Sequence, residues 1–111
     1  METEKFNRLS DISLRMHIFS SDGVEIDPMQ AWLRIHLQSG GRKFVATNNP
    51  YGKNESCHVE GNALVVDIPA KRLGTGVLEY MIEHREESVH YADGFRNTYP
   101  AEWIKTNKEI V

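Results

Sequence analysis

Apolar side chains recur at every second position over much of this chain, and no other feature of the sequence constrains its fold as strongly. In the segment ISLRMHI at 12–18 the apolar residues share one parity and the polar residues share the other. A period of two is typical of a β-strand with one buried and one solvated face. Alternating or β-favouring residues return at positions 31–38, 42–47, 56–60, 63–68 and 77–83. The pattern therefore predicts a chain built mainly from short β-strands.

Turn-forming residues separate these predicted strands. A Ser-Ser-Asp-Gly stretch at 20–23 and a Ser-Gly-Gly stretch at 39–41 each interrupt the alternation. Gly61 and Asn62 form a two-residue link, and because both tolerate a positive φ they predict a hairpin with a type I′ turn. Only positions 69–73, which begin with proline, favour a short helical turn. We therefore predict an all-β fold, a two-sheet antiparallel β-sandwich of six to eight strands.

Length and composition bound the organisation of the chain. The 111 residues fit one domain, and the strand pattern divides them into an N-terminal arm at 1–11 and a single β-sandwich domain at 12–111. Cys57 is the sole cysteine, which excludes an intrachain disulfide and is typical of a protein made in the reducing cytoplasm. No apolar stretch approaches the roughly 18 residues of a membrane span. The net charge of -3 predicts no binding to nucleic acid or to a membrane.

The segment KRLGTGVLEY at 71–80 raises the question of a phosphate-binding loop, because two glycines flank Thr75 just after a basic pair. A phosphate loop needs backbone N–H groups at the start of a helix, and the P-loop adds Lys-Ser or Lys-Thr after its last glycine. Here Val-Leu-Glu-Tyr follows Gly76, which indicates a strand. We therefore interpret Gly74 and Gly76 as turn positions that lead into a strand.

No set of residues in the sequence points to catalysis or to a metal. The five histidines are scattered rather than spaced as zinc ligands, and His58-Val59-Glu60 lacks the Pro-Cys-x-x-Cys that accompanies such a triplet in zinc deaminases. Cys57 shares the apolar parity of Val59, which predicts a packed thiol rather than a nucleophile. The charged run EHREE at 83–87 is interpreted as a solvated strand end that discourages edge pairing. We predict a non-enzyme with no catalytic residue, no metal and no cofactor.

Aromatic and cationic residues supply the best candidates for an interaction surface, because Trp, Tyr and Arg dominate binding hot spots. Parity places Trp32 on the polar face of its strand, and a second group lies in the segment HYADGFRNTYPAEW. The candidate interface residues are Trp32, Arg34, His36, Phe95, Arg96, Tyr99 and Trp103. The competing interpretation is that the aromatic residues pack in the core and beneath the long loops.

Three segments also resemble a known family. They are DGVEID at 22–27, SGGRKFVA at 39–46 and LGTGVLEY at 73–80. Their order and turn residues are similar to those of the N-terminal β-sandwich domain of phage baseplate upper proteins and of tail-fibre-type proteins of prophages and mobile elements. The resemblance covers most of 12–111, and Thr75 stands where the family pattern has proline.

The resemblance implies an immunoglobulin-like sandwich that docks a longer tail component into a multimeric baseplate. It implies a structural protein, made in the cytoplasm and carried in a virion tail or tail-like particle. The partners would be other tail or baseplate proteins, or further copies of the chain in a homo-oligomer. The alternative is a carbohydrate- or ligand-binding module in which Tyr91, Phe95, Tyr99 and Trp103 form a stacking platform. An exposed row of rings would favour that alternative, whereas buried rings and an unpaired edge strand would favour assembly.

Overall fold

The computed structural model of the protein describes residues 3–20 and 22–111, and within these ranges it contains nine β-strands and no helix. Ser21 of the predicted turn at 20–23, and the first two residues of the predicted arm, lie outside the described residues. In chain order the strands are β1 (Glu4–Phe6), β2 (Ile12–Met16), β3 (Trp32–Ser39), β4 (Arg42–Asn48), β5 (Cys57–Glu60), β6 (Ala63–Ile68), β7 (Gly76–Glu87), β8 (Phe95–Thr98) and β9 (Ile104–Ile110). The all-β prediction is confirmed, but the nine strands exceed the predicted six to eight.

The strands form two sheets. The larger sheet has the order β1-β9-β7-β3-β4, with β8 also paired to β7, and the smaller sheet has the order β2-β6-β5. Every pairing between these strands is antiparallel except that of β1 with β9, which is parallel. The predicted antiparallel arrangement is therefore confirmed for every pairing but this one, in which part of the predicted arm returns beside the C-terminal strand. The division into an arm and a domain stays a prediction.

The apolar faces of the two sheets meet in one hydrophobic core, an arrangement consistent with a β-sandwich. Leu33, Ile35 and Leu37 of β3 are buried there, and so are Leu64 and Val66 of β6. Burying one side chain of this kind contributes about 1.5–3 kcal/mol. The alternation in the sequence of β3 thus fixes which side of that strand faces the core, whereas β6 begins with four apolar residues that are all buried. The immunoglobulin-like strand order stays a prediction.

Two local predictions are wrong at their turn residues. The predicted hairpin between β5 and β6 forms, and Gly61 has φ +61°, but Asn62 does not have a positive φ. A type I′ turn needs a positive φ at both central residues, whereas a positive φ at the first alone is the pattern of type II′. The short helical turn at 69–73 is absent because Lys71 adopts φ +69°, in the left-handed region that interrupts a right-handed helix.

The predicted turn at Gly74 is confirmed, since β7 begins at Gly76, and Gly74 has a specific packing role. The turn between β3 and β4 packs so closely here that a Cβ on Gly40 would lie 2.6 Å from backbone atoms of Gly74 and Thr75. The Ser39 hydroxyl donates to the Gly74 carbonyl at 2.7 Å, and the Ser39 carbonyl accepts from the Gly74 N–H at 3.1 Å. The glycine pair therefore allows two backbone turns to meet.

The charged run at 83–87 lies inside β7, which crosses the middle of the larger sheet. This strand pairs with β3 on one side and with both β8 and β9 on the other. The interpretation of the run as a solvated end that discourages edge pairing is therefore wrong. Glu83 is only 9% exposed, because paired strands flank it on both sides. A short charged pattern does not reveal whether its strand lies at the edge or in the middle of a sheet.

Candidate interaction surface

The face of the larger sheet that points away from the core, here called the outer face, carries three of the candidate residues in a row. Along β3, Trp32, Arg34 and His36 alternate with buried side chains. Parity in the sequence therefore assigns these three residues to one face correctly. Their partners across the ladder on β7 are Arg85, Glu83 and Met81.

Arg85 lies at the centre of a group that we call the aromatic–arginine cluster, made of Trp32, Tyr51, Arg85 and Phe95. The guanidinium carbon of Arg85 is 4.7 Å from the Trp32 ring centroid and 4.8 Å from that of Phe95, within the range of cation–π attraction. The Trp32 and Phe95 rings pack edge to face with centroids 5.4 Å apart, and the Tyr51 centroid lies 6.0 Å from each. The cluster thus joins β3, β7, β8 and the loop after β4.

Hydrogen bonds hold the Arg85 side chain in this cluster. Its Nη2 donates to Asp93 Oδ2 at 2.7 Å, and its Nη1 donates to Asn97 Oδ1 at 3.3 Å. The N–H of Phe95, and then the Arg85 guanidinium, hold the pKa of the Asp93 carboxyl below its usual value. The Nε of Arg85 is buried and has no hydrogen-bond partner among residues 3–20 and 22–111. The cluster therefore contains an ordered cation with one donor unused.

Tyr51 forms the solvent-facing side of the cluster. It belongs to the loop between β4 and β5 and is 62% exposed. Its hydroxyl donates to Glu87 at 3.0 Å, and this hydrogen bond raises the pKa of Tyr51. A tyrosine ring offers a large, rigid contact area and loses little conformational entropy on binding. Tyr51 is therefore well suited to contact a partner.

A second set of contacts adjoins the cluster on the outer face. Glu83 Oε1 lies 3.5 Å from Arg34 Nη1 and 3.4 Å from His36 Nε2. The Tyr99 hydroxyl is 3.3 Å from the same His36 nitrogen, and the two rings are 5.3 Å apart. A cleft of about 70 Å³ between this set and the cluster is lined by Trp32, Arg34, Glu83, Arg85 and Asn97. That volume is far below the roughly 300–1,000 Å³ of small-molecule pockets.

The remaining two candidate residues lie apart from the cluster. The Trp103 ring centroid is 5.9 Å from Lys43 Nζ on β4. Arg96 pairs with Glu86 at 2.5 Å, and it projects from the face of β8 opposite to Phe95, because successive side chains of a strand point to opposite faces. The fold therefore brings Trp32 to Phe95 and His36 to Tyr99, and it leaves Arg96 on the other side of the sheet.

Sequence reasoning missed Arg85 and Tyr51. Arg85 has the parity of Glu83, and this parity would place it beside Trp32 once β7 is known to pair with β3. The pairing joins distant segments of the chain, so the local period does not reveal it. Tyr51 lies in a loop, where side chains have no period to follow.

Cys57, the candidate nucleophile considered in the sequence, does not belong to the aromatic–arginine cluster. Cys57 is buried, its Sγ donates to the Thr47 carbonyl at 3.2 Å, and burial raises the pKa of its thiol to about 11. A thiol with that pKa is protonated at neutral pH and is a weak nucleophile. In the described ranges, no three or more His, Cys, Asp or Glu side chains are grouped so that they could hold a metal ion.

No family model, curated protein or solved structure matches this chain. Within the part of the chain that the structure describes, no helix has the length and apolar character needed to cross a membrane. The fold and the surface described above define the protein as an all-β protein with an aromatic and cationic surface on its larger sheet. The resemblance to phage baseplate and tail-fibre domains stays a prediction.

Proposed function

We propose that this protein is a non-enzymatic assembly module that associates with further copies of itself and with other subunits of a phage tail or related particle. It docks through the outer face of the larger sheet, with the aromatic–arginine cluster as the anchor. The ordered Arg85 between the Trp32 and Phe95 rings is the observation that carries the docking proposal. The phage-tail setting, and the immunoglobulin-like topology that goes with it, rest on the resemblance of 22–27, 39–46 and 73–80.

The physical support for docking is the composition and order of the cluster. Trp, Tyr and Arg are the residue types that dominate interface energetics. The contacts of Arg85 with Asp93 and Asn97 fix its side chain before any partner arrives, so binding loses less side-chain entropy. Tyr51 and Tyr99 extend the same face into solvent. A preorganised anchor surrounded by exposed tyrosines is well suited to a protein partner.

Carbohydrate binding is the weaker candidate on the same geometry. A sugar stacks on the open face of an aromatic ring, but Trp32 and Phe95 pack edge to face and the Arg85 guanidinium lies over both rings. The side-chain oxygens of Asp93 and Asn97 that would bind sugar hydroxyls already accept from Arg85. These contacts favour docking of a protein over stacking of a sugar.

Light scattering over a concentration series tests the docking proposal. We expect the mass of the wild type to rise above the 12.7 kDa of one chain as concentration increases. Trp32→Ala removes a central anchor and should weaken self-association about 30-fold, as truncating a hot-spot residue worth about 2 kcal/mol does.

Two further variants make the test specific to the outer face. Tyr51→Ala, at a more exposed position, should weaken association without loss of the core. Phe19→Ala removes an aromatic ring that is equally exposed but belongs to a different segment, and it should leave association unchanged. A mass of one chain at every concentration, or equal weakening by Phe19→Ala and Trp32→Ala, would contradict the proposal.

A further inference from the structure

The strand β4 lies at the end of the larger sheet and leaves part of its backbone unpaired. On one side β4 pairs with β3 along its whole length. On the other side Thr47 exchanges both backbone hydrogen bonds with Glu55, at 2.9 and 2.8 Å. Because alternate residues of a strand direct their N–H and C=O groups to the same side, those of Lys43 and Val45 face this open side too. No described residue supplies a hydrogen-bond partner for them there.

Cationic side chains from two separate segments surround this open edge. The Arg42 Nη1 donates to the Lys71 carbonyl at 2.9 Å, which brings the RK pair of β4 beside the KR pair of the turn before β7. The Arg72 guanidinium carbon lies 5.0 Å from the Phe44 ring centroid. We call this group the basic corner, and its members are Arg42, Lys43, Lys71 and Arg72, all of them exposed.

The basic corner has a positive charge that the described residues do not neutralise. No carboxylate of residues 3–20 and 22–111 lies within 4.0 Å of a cationic nitrogen of these four side chains. The carboxylates of Asp11 and Glu79 accept from neutral donors, the Ala70 N–H at 2.8 Å and the Gln38 amide at 3.2 Å, and form no ion pair with these cations. A chain with a net charge of -3 thus concentrates four cations at one sheet edge.

We propose that the open edge of β4 binds an extended acidic peptide segment of another protein, which adds as a strand beside Lys43 and Val45. Strand addition at an exposed edge uses backbone hydrogen bonds for affinity and side chains for specificity. Acidic side chains of the peptide would alternate between Lys43 on the outer face and Arg72 on the inner side. This inference does not depend on the docking proposal above, because it concerns a different surface.

The charge of the edge argues against the other occupants. A second copy of β4 would bring the Arg42 and Lys43 side chains of both copies together, and like charges on paired strands are unfavourable. A nucleic acid would match the charge but has no alternating N–H and C=O groups to pair with the open backbone. The acidic peptide satisfies both the charge and the hydrogen-bonding pattern.

Fluorescence anisotropy with a labelled peptide of about eight residues that repeats Glu-Glu-Thr-Thr tests the proposal, because neighbouring Glu residues place carboxylates on both faces of the added strand and the length exceeds the open edge. The wild type should bind this peptide and not its Lys-Lys-Thr-Thr counterpart. Lys43→Gln combined with Arg72→Gln should weaken binding at least about tenfold.

A backbone test separates strand addition from simple charge attraction. Val45→Pro removes only an N–H on the open side, so the ladder with β3 persists, and proline is tolerated on edge strands. We expect Val45→Pro to abolish binding and Val45→Thr to preserve it. The wild type should also fail to bind the acidic peptide when backbone nitrogens on both of its edges are methylated, because methylation of alternate nitrogens alone would leave one edge free to pair. This test requires no protein variant. Undiminished binding of the methylated peptide, tighter binding of a single-stranded oligonucleotide of equal charge, or no binding of the acidic peptide would overturn the proposal.

Discussion

Asn48 connects three segments through one buried side chain. Its Nδ2 donates to the carbonyls of Pro28 and Ala31 at 2.7 and 2.8 Å, and its Oδ1 accepts from Asn54 at 3.0 Å. Asn48→Asp would leave both carbonyls unpaired and turn a carboxylate oxygen toward them. Each buried polar group left without a partner costs about 1–3 kcal/mol, so we expect a loss of at least about 2 kcal/mol in the free energy of unfolding, measured in urea.

Asn49→Asp is the matched control for this change. The Oδ1 of Asn49 accepts from the Tyr51 N–H at 2.9 Å, and a carboxylate would preserve that hydrogen bond. We expect Asn49→Asp to alter the free energy of unfolding by less than about 0.5 kcal/mol, as surface substitutions usually do. Equal urea midpoints for the two variants would show that Asn48 is not the link described here.

His58 should titrate at a higher pH than a free histidine. Its Nε2 lies 3.0 Å from Glu60 and its Nδ1 lies 2.6 Å from Asp67, and only the imidazolium donates from both nitrogens. The hydrogen bond with Glu60, and then that with Asp67, raise the pKa of His58. We expect NMR titration to show this rise and to show a lower pKa in Glu60→Gln.

Because the pKa of His58 is raised in the folded protein, its contribution to the free energy of unfolding depends on pH. A histidine with a raised pKa in the folded state contributes stability that is fully present below the unfolded pKa and is lost as pH rises through the folded pKa. His58→Gln should therefore destabilise the protein more at a pH of about 5.5 than at about 8.5, on either side of the ordinary histidine value. An equal effect at both values would mean that His58 is not protonated between its two carboxylates.

At the scale of structural elements, the close packing of the β3–β4 turn against the turn before β7 requires glycine at position 40. Gly40 and Gly41 both have a positive φ, but only a Cβ on Gly40 would clash with backbone, at 2.6 Å from Gly74 and Thr75. Gly41→Ala should cost about 1–2 kcal/mol for left-handed strain. Gly40→Ala should cost about 1–3 kcal/mol more for overpacking. Thermal unfolding of the two variants measures the difference, and equal melting temperatures would refute the close contact.

How far the elements could be predicted depends on how much apolar surface each strand buries. The strands β2, β3, β4, β5, β6 and the first half of β7 direct alternate apolar side chains into or against the core cluster, and outside β6, which is apolar on both faces, this period is visible in the sequence. In contrast, β8 has no fully buried residue and β9 has only Ile110, so neither carries the period. The three residues of β1 are too few to show one. The sequence therefore did not reveal the additional strands or the parallel β1–β9 edge.

At the scale of the whole molecule, the smaller sheet covers the inner face of the larger one and leaves its outer face and its β4 edge open. Local parity was enough to assign Trp32, Arg34 and His36 to the outer face. It was not enough to join Arg85 to Trp32, or Arg42 to Lys71, because both contacts arise from pairing between distant segments. The candidate surface could thus be predicted in part, and its central cation could not.

Site-directed cross-linking is the measurement that tests the docking face most directly. Lys53→Cys places a thiol in the exposed loop that carries Tyr51 and keeps all four residues of the aromatic–arginine cluster, and Phe19→Cys places one at an exposed position elsewhere. The native Cys57 is buried with a raised pKa of about 11, so it should react slowly and leave the new thiol to form the cross-link. With a flexible bismaleimide, we expect Lys53→Cys to give covalent dimers at concentrations where Phe19→Cys remains a single chain. Equal yields from the two positions, or no dimer from Lys53→Cys, would contradict assembly through the outer face.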